Sequence, residues 1–233
     1  MRNLAIIPAR SGSKGLPDKN IKPFVGKPLI SYTIAEALKS GCFQEVIVST
    51  DSEKYAEIAK QFGANVPFLR SQDTSSDVAS SWDVVNEVLL SYERIGKKFD
   101  TFTLLQPTSP LRSACDIQAA FKMLSNAEAQ AVVSVCKADH PLAFFNHIPP
   151  SGSLASFVKA RKSLRRQDVD TDYFRINGAI YLVRIPFFEQ SHMIYREGCY
   201  ALEMNKLASI DIDDELDFIQ AEAIYKYANN EII

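Results

Sequence analysis

Leu4-Ala5-Ile6-Ile7-Pro8 runs without a break into Ala9-Arg10-Ser11-Gly12-Ser13-Lys14-Gly15-Leu16-Pro17-Asp18-Lys19-Asn20. The first part is a short apolar run closed by a proline, the pattern of a strand buried on both faces of a parallel sheet. The second part is a loop of small residues, which let backbone N–H groups approach phosphate oxygens. It also carries Arg10, Lys14 and Lys19, which offset polyphosphate charge. No Gly-Lys-Ser or Gly-Lys-Thr stands at Walker A spacing, and the loop is not Gly-x-Gly-x-x-Gly either. A solvated turn is the plain alternative, and three cations directly after a buried strand weigh against it.

The same theme continues outward from this stretch. Leu29 to Leu38 carries Ile30, Ile34 and Leu38 at helical spacing, with Gly41 as a stop. Val46-Ile47-Val48 reads as a strand, and Ser49-Thr50-Asp51-Ser52 supplies caps for a helix from Glu53 to Phe62 that leaves through Gly63. Ser80-Ser81-Trp82-Asp83 and Ser113-Ala114-Cys115-Asp116 are capping boxes that open two more helices. Thr101 to Gln106, Ala131 to Cys136, Gly178 to Val183 and Ala208 to Ile212 read as strands, and Glu215 to Tyr227 as the last helix. Strands alternating with helices imply a largely parallel sheet covered on both faces. His140 to Asp172 is rich in Pro, Gly, Ser and charge and breaks the alternation, as a lid or an arm toward a partner subunit does.

The 233 residues suffice for one core. A formal net charge of -2 provides no global basic field for nucleic acid or an anionic membrane. Lys159 to Arg166 is the one basic cluster, and no aromatic residues interleave it to stack bases. Cys42, Cys115, Cys136 and Cys199 form no CxxC pair, so reduced thiols are expected rather than a zinc site. His140, His147 and His192 lack metal-ligand spacing. No stretch reaches the ~18 apolar residues of a membrane span, and the first residues are too short for a signal core. A cytoplasmic protein is expected.

Ligands of open parallel sheets bind beyond the carboxyl ends of the strands. Near the C-terminus, Ser209-Ile210-Asp211-Ile212-Asp213 alternates with period two, which puts both carboxylates on one face. Such a pair suits Mg²⁺, which takes a few protein oxygens and keeps positions for phosphate and water. Asp213 or Asp214 as a mere cap of the last helix is the competing reading. The middle segment, Leu104-Leu105-Gln106-Pro107-Thr108-Ser109-Pro110-Leu111-Arg112, holds Gln106, Thr108 and Ser109 between two prolines that stiffen the turn.

Together, Ile7 to Gly15 with Lys19-Asn20, Ser49-Thr50-Asp51, Leu104 to Arg112, Arg166-Gln167-Asp168, Asn177-Gly178-Ala179-Ile180-Tyr181 and Asp211-Ile212-Asp213 resemble, in the same order, the motifs of the acylneuraminate cytidylyltransferases. These are the CMP-sialic acid synthetases and their nonulosonic-acid relatives. The resemblance spans essentially the whole chain. It implies a Rossmann-like, three-layer nucleotide-diphosphosugar transferase fold with a mostly parallel mixed sheet and a dimerisation insertion at about residues 140–172. It also implies a homodimer that uses CTP and Mg²⁺, with Mn²⁺ as the substitute ion. By position, Arg10, Lys14 and Lys19 would contact the triphosphate, and Ala9, Asn20, Arg70 and Ser81 would help hold the nucleotide. Gln106, Arg175 and Tyr181 would line the sugar-acid site, and Arg166 would reach toward a neighbouring subunit's site. Asp211 and Asp213 would manage metal and acceptor.

The implied reaction is attack of the acceptor's anomeric hydroxyl on the α-phosphorus of CTP, with pyrophosphate leaving. Three positions depart from the family pattern. Ala143 stands where several sialic acid enzymes have lysine, Ile176 where some relatives have proline, and Val169-Asp170 follows Asp168 without the usual proline. All three fall in the acceptor half, which leaves N-acetylneuraminate, legionaminate and pseudaminate open. A different acidic acceptor such as 3-deoxy-octulosonate, or a non-catalytic nucleotide-binding protein, are the alternatives.

Overall fold

The computed structural model describes residues 1–13, 15–126, 128–155, 157 and 173–229. Six strands form one mixed sheet, in the spatial order β4 (Glu45–Ser49), β1 (Asn3–Pro8), β5 (Thr101–Leu104), β7 (Phe174–Arg184), β6 (Ala131–Lys137), β8 (Cys199–Glu203). Pairing is parallel between β1 and β4, β1 and β5, and β6 and β8, while β7 is antiparallel to both β5 and β6. Five strands therefore share one direction, as a largely parallel sheet requires, and β7 alone opposes them. A two-stranded hairpin, β2 (Pro23–Phe24) and β3 (Lys27–Pro28), stands apart from the sheet.

Alternation along β1 builds the three layers. Ala5 and Ile7 face α1 (Leu29–Ser40), α2 (Glu53–Gln61) and α5 (Ala114–Leu124), in a core that includes Ile34, Tyr55 and Ile117. Leu4 and Ile6 face the other way, toward α4 (Ser81–Arg94) and α6 (Ile185–Gln190), where Val85, Val88 and Phe188 pack. Because both faces of the sheet are covered, the strand reads as an unbroken apolar run.

The helix boundaries follow the sequence signals. Ser52 accepts a hydrogen bond from the Tyr55 amide, Ser80–Asp83 and Ser113–Asp116 are complete capping boxes, and Gly41 leaves α1 in the left-handed region. α7 (Glu215–Ala228) is capped by Asp214, not Asp213. α7 buries Phe218 against Phe24 and Leu16, in a third cluster that also holds Ile212. That cluster draws the two ends of the chain together: Leu16 belongs to the opening loop and Ile212 separates the two aspartates.

One expected element needs correction. Ala208 to Ile212 is no strand: Leu207–Ser209 forms a 3-10 turn, Ile210 is extended, and residues 210–213 have no ladder partner. The sixth strand is instead β8, whose half-exposed, non-alternating Cys199-Tyr200-Ala201-Leu202-Glu203 gives no periodic signal. All four cysteines are free thiols. Among the described residues no helix is long and apolar enough to cross a membrane.

Candidate active site

A cleft of about 540 Å³ opens beyond the carboxyl ends of β1 and β5. Pro8, Arg10, Ser13, Gly15, Lys19 and Asn20 line it from the opening loop, and Gln106, Pro107 and Thr108 from the loop after β5. Arg70 and the stretch from Thr74 to Ser81 form a third wall, and Asp211 and Asp213 a fourth. Cations from the first loop and carboxylates from the far end of the chain thus share one cavity. Lys14 lies outside the described residues, as do Arg166 and the rest of 158–172.

The opening loop is pinned from several sides. Asp51 receives both the Ser11 amide and the Ser11 hydroxyl at 2.8 Å, which explains the Ser49-Thr50-Asp51 motif. Asn20 is buried and donates to the Arg10 carbonyl at 3.1 Å, and the Tyr55 hydroxyl donates to Asp18 at 2.8 Å. Ala9 lies beneath the cleft in the core, its amide committed to the Ser49 carbonyl at 2.8 Å. Arg70 is a brace: its guanidinium donates to the Ser49 hydroxyl and carbonyl, each at 3.1 Å. Burial lowers its pKa to about 10, which leaves it charged at neutral pH.

Lys19 joins this loop to the aspartates. Its ammonium donates to the Ile212 carbonyl at 2.5 Å and lies 3.6 Å from Asp213. A Cβ on Gly15 would stand 2.6 Å from the Asp213 carbonyl oxygen, so no larger residue fits that approach. From the other side, the Ile212 amide donates to the Thr108 carbonyl at 2.9 Å, and the Thr108 side chain hydrogen-bonds the Asp211 carboxylate. Burial, the largest effect, pushes the Asp211 carboxyl above its ordinary value, and Asp213 adds to the push. Thr108, Lys19 and Arg175 oppose it. Asp211 Oδ1 is buried and makes no hydrogen bond among the described residues. An unsatisfied buried oxygen beside a second carboxylate fits a divalent cation.

The remaining predicted residues belong to β7. Its pairing with β6 jumps from Val133↔Tyr181 to Val135↔Ile176, so β7 advances five residues while β6 advances two. The resulting bulge holds Asn177, whose side chain bonds Ser134 at 2.6 Å and Ser209 at 2.9 Å. Gly178, at φ +76°, lies where a Cβ would come 2.5 Å from Gln106 Oε1 and 3.4 Å from Asp211 Oδ2. Bulges re-aim strands beside functional sites in this way. Arg175 and Tyr181 are not among the residues lining the cleft, yet Arg175 acts electrostatically on Asp211 and Asp211 on Tyr181, so both flank it. Arg175 donates to the Ser209 carbonyl at 3.0 Å. Tyr181 is half-buried, edge-on to Trp82, and burial raises its pKa.

Arg112 escaped the sequence reading as a contributor. It is buried, and its guanidinium donates to the Gln106 carbonyl at 3.2 Å and the Ala179 carbonyl at 2.9 Å. It therefore ties the loop after β5 to the β7 bulge. The wall from Thr74 to Ser80 was missed as well. Its only signal was a polar, serine-rich approach to α4.

The CMP-N,N'-diacetyllegionaminic acid synthase of Legionella pneumophila is 36% identical over 225 residues, covering 96% of each chain. An N-acylneuraminate cytidylyltransferase of Streptococcus agalactiae is 38% identical over 94% of this chain, which spans about half (52%) of that relative's length. Among solved structures, a CMP:2-keto-3-deoxy-manno-octonic acid synthetase complexed with CTP superposes with a TM-score of 0.72, covering 100% of both chains. At 17% identity it speaks for the fold alone. Residues 4–231 match the cytidylyltransferase family as a whole, and on these grounds the chain belongs to the cytidylyltransferase family.

Proposed function

We propose that the chain activates a nonulosonic sugar acid with CTP, giving the CMP-sugar and pyrophosphate. The observation that carries this reading is the single cleft in which Arg10 and Lys19 meet Asp211 and Asp213. The acceptor's anomeric oxygen forms a bond to the α-phosphorus as the bond from that phosphorus to the bridging oxygen breaks. The electron pair leaves with pyrophosphate.

The residues singled out from the sequence divide that step among them. Arg10 and Lys19 neutralise the leaving pyrophosphate, so positioning and charge stabilisation supply most of the acceleration. Lys14 and Arg166, outside the described residues, would add charge from the same loop and from the 140–172 segment. Asp211 and Asp213 would hold Mg²⁺, or Mn²⁺ in its place, which draws charge from the phosphates when bound. A carboxylate of this pair can also take the attacking hydroxyl's proton. Ser81 and Asn20 face the nucleoside, while Ala9 and Arg70 support the backbone around it. Gln106 faces the acceptor with Arg175 and Tyr181 beside it, and the planar Arg175 guanidinium suits a carboxylate.

Exposed apolar side chains along β6 to β8, among them Phe174, Ile176, Tyr195 and Tyr200, support a homodimer with the 140–172 segment as its arm. The cytoplasm, where CTP is made and thiols stay reduced, is the proposed compartment.

The test is a panel of N-acetylneuraminate, legionaminate and pseudaminate with CTP and Mg²⁺. Pyrophosphate is expected only when an acceptor is present, matched by a CMP-sugar mass. No pyrophosphate with any acid of the panel defeats the reading.

A further inference from the structure

The two described cations of the opening loop are held differently. Lys19 is nearly buried, its side chain 12% exposed, and bonds to a main-chain carbonyl as well as lying near Asp213. Nothing that enters the cleft needs to move it. Arg10 is instead paired with Asp77 at 2.8 Å, in an ion pair with side chains 30% and 43% exposed. Its second contact is the Ser75 carbonyl at 3.3 Å. Both Arg10 and Asp77 line the cleft.

Asp77 sits in the turn that follows the short helix α3 (Gln72–Ser75), next to Val78, which is almost wholly exposed. The preceding stretch is anchored, because Ser71 donates its amide and its hydroxyl to Glu87 on α4. The turn bearing Asp77 lies between this anchor and the Ser80–Asp83 capping box that opens α4.

A carboxylate within a cleft meant for a polyanion repels that ligand at short range. An exposed carboxylate–guanidinium pair is weak, whereas guanidinium binding to phosphate oxygens is charge-assisted and bidentate. Phosphate oxygens are therefore strong competitors for a guanidinium held in this way.

We infer that Asp77 is an intramolecular competitor for the polyphosphate site: its carboxylate holds Arg10 in the empty cleft, yields it to the triphosphate, and retakes it as pyrophosphate leaves. This rests on the nucleotide-binding reading above. It assigns Asp77 a positioning role, exerted through Arg10, that lowers affinity and speeds release.

Calorimetric titration of the full chain with inorganic pyrophosphate, and separately with CTP, tests it without an acceptor. Asp77→Asn is expected to bind both about three- to tenfold more tightly than wild type, with the gain shrinking as salt rises. Asp77→Glu, which keeps the charge, should stay near the wild-type value. In turnover, Asp77→Asn should lower KM for CTP and lower kcat together, whereas a purely structural residue would raise KM when lost. Equal or weaker binding by a folded Asp77→Asn overturns the proposal, and Asp77→Ser decides it in the same way should the asparagine variant fail to fold. Failure of the wild-type chain to bind either ligand is a different result: it removes the nucleotide site itself, and the competitor with it.

Discussion

The half of the sheet made by β4, β1 and β5 and the half made by β7, β6 and β8 contribute to the cleft by different means. In the first half the strands are parallel, and each ends at the rim in a loop. The opening loop is clamped by side chains from its neighbours, Asp51 on Ser11 and Tyr55 on Asp18. In the second half the chain reverses along β7, and the rim is reached through a bulge fixed by Asn177, Ser134 and Ser209. The first half thus meets the rim as a loop held by a carboxylate and a phenol, and the second as a distorted strand held by a buried amide and hydroxyls. A loop can be displaced and still leave the fold intact. A bulge cannot be altered without straining the sheet that carries it.

The largest effect is expected where the two halves meet. Asp211→Asn should reduce pyrophosphate release by about 10²–10⁴-fold. Because the folded carboxyl binds its proton more tightly than an ordinary one, wild-type stability falls as pH rises through the window between the ordinary and the raised value. The asparagine lacks that slope, so at neutral pH the variant should melt no lower than wild type. Near-normal turnover would remove Asp211 from the chemistry, and a clear drop in the melting temperature would contradict the cost of burying its charge.

Asp51→Ala should come next and sharpen the contrast. Releasing Ser11 misplaces the opening loop and lowers kcat/KM for CTP by about 10²-fold. The acceptor's KM should stay put in initial-rate measurements, and an equal change in both would erase the distinction between the halves.

Gly178→Ala probes the opposite side with a smaller effect. The left-handed backbone alone costs about 1–2 kcal/mol, readable in a denaturant titration. The added methyl must also displace Gln106 and crowd Asp211, so KM for the acceptor should rise about tenfold, with CTP binding nearly unchanged. Weakened CTP binding with an unaltered acceptor KM would invert the assignment.

Much of this was legible locally. A capping serine or aspartate satisfies amides within three residues of itself, so Ser52, Ser80 and Ser113 mark helix starts without knowledge of the rest of the chain. The continuous apolar run at Leu4 to Ile7 records burial on both faces. The alternation over Ile210 to Asp213 records burial too, and it placed both carboxylates toward the cleft. It was mistaken for a strand because extended backbone alternates whether or not it has a ladder partner. Here the hydrogen bonds go instead to Thr108 and Lys19.

By itself, then, the sequence determined the alternating elements, the cationic, small-residue character of the opening loop and the same-side geometry of the aspartates, because each depends on residues only a few positions apart. The reversed direction of β7, the edge strand β8, the bracing by Arg112 and the pairing of Arg10 with Asp77 were decided only in three dimensions. Each joins groups far apart along the chain, or separated by a turn with no periodic pattern, and Coulomb and hydrogen-bond energies depend on distance in space.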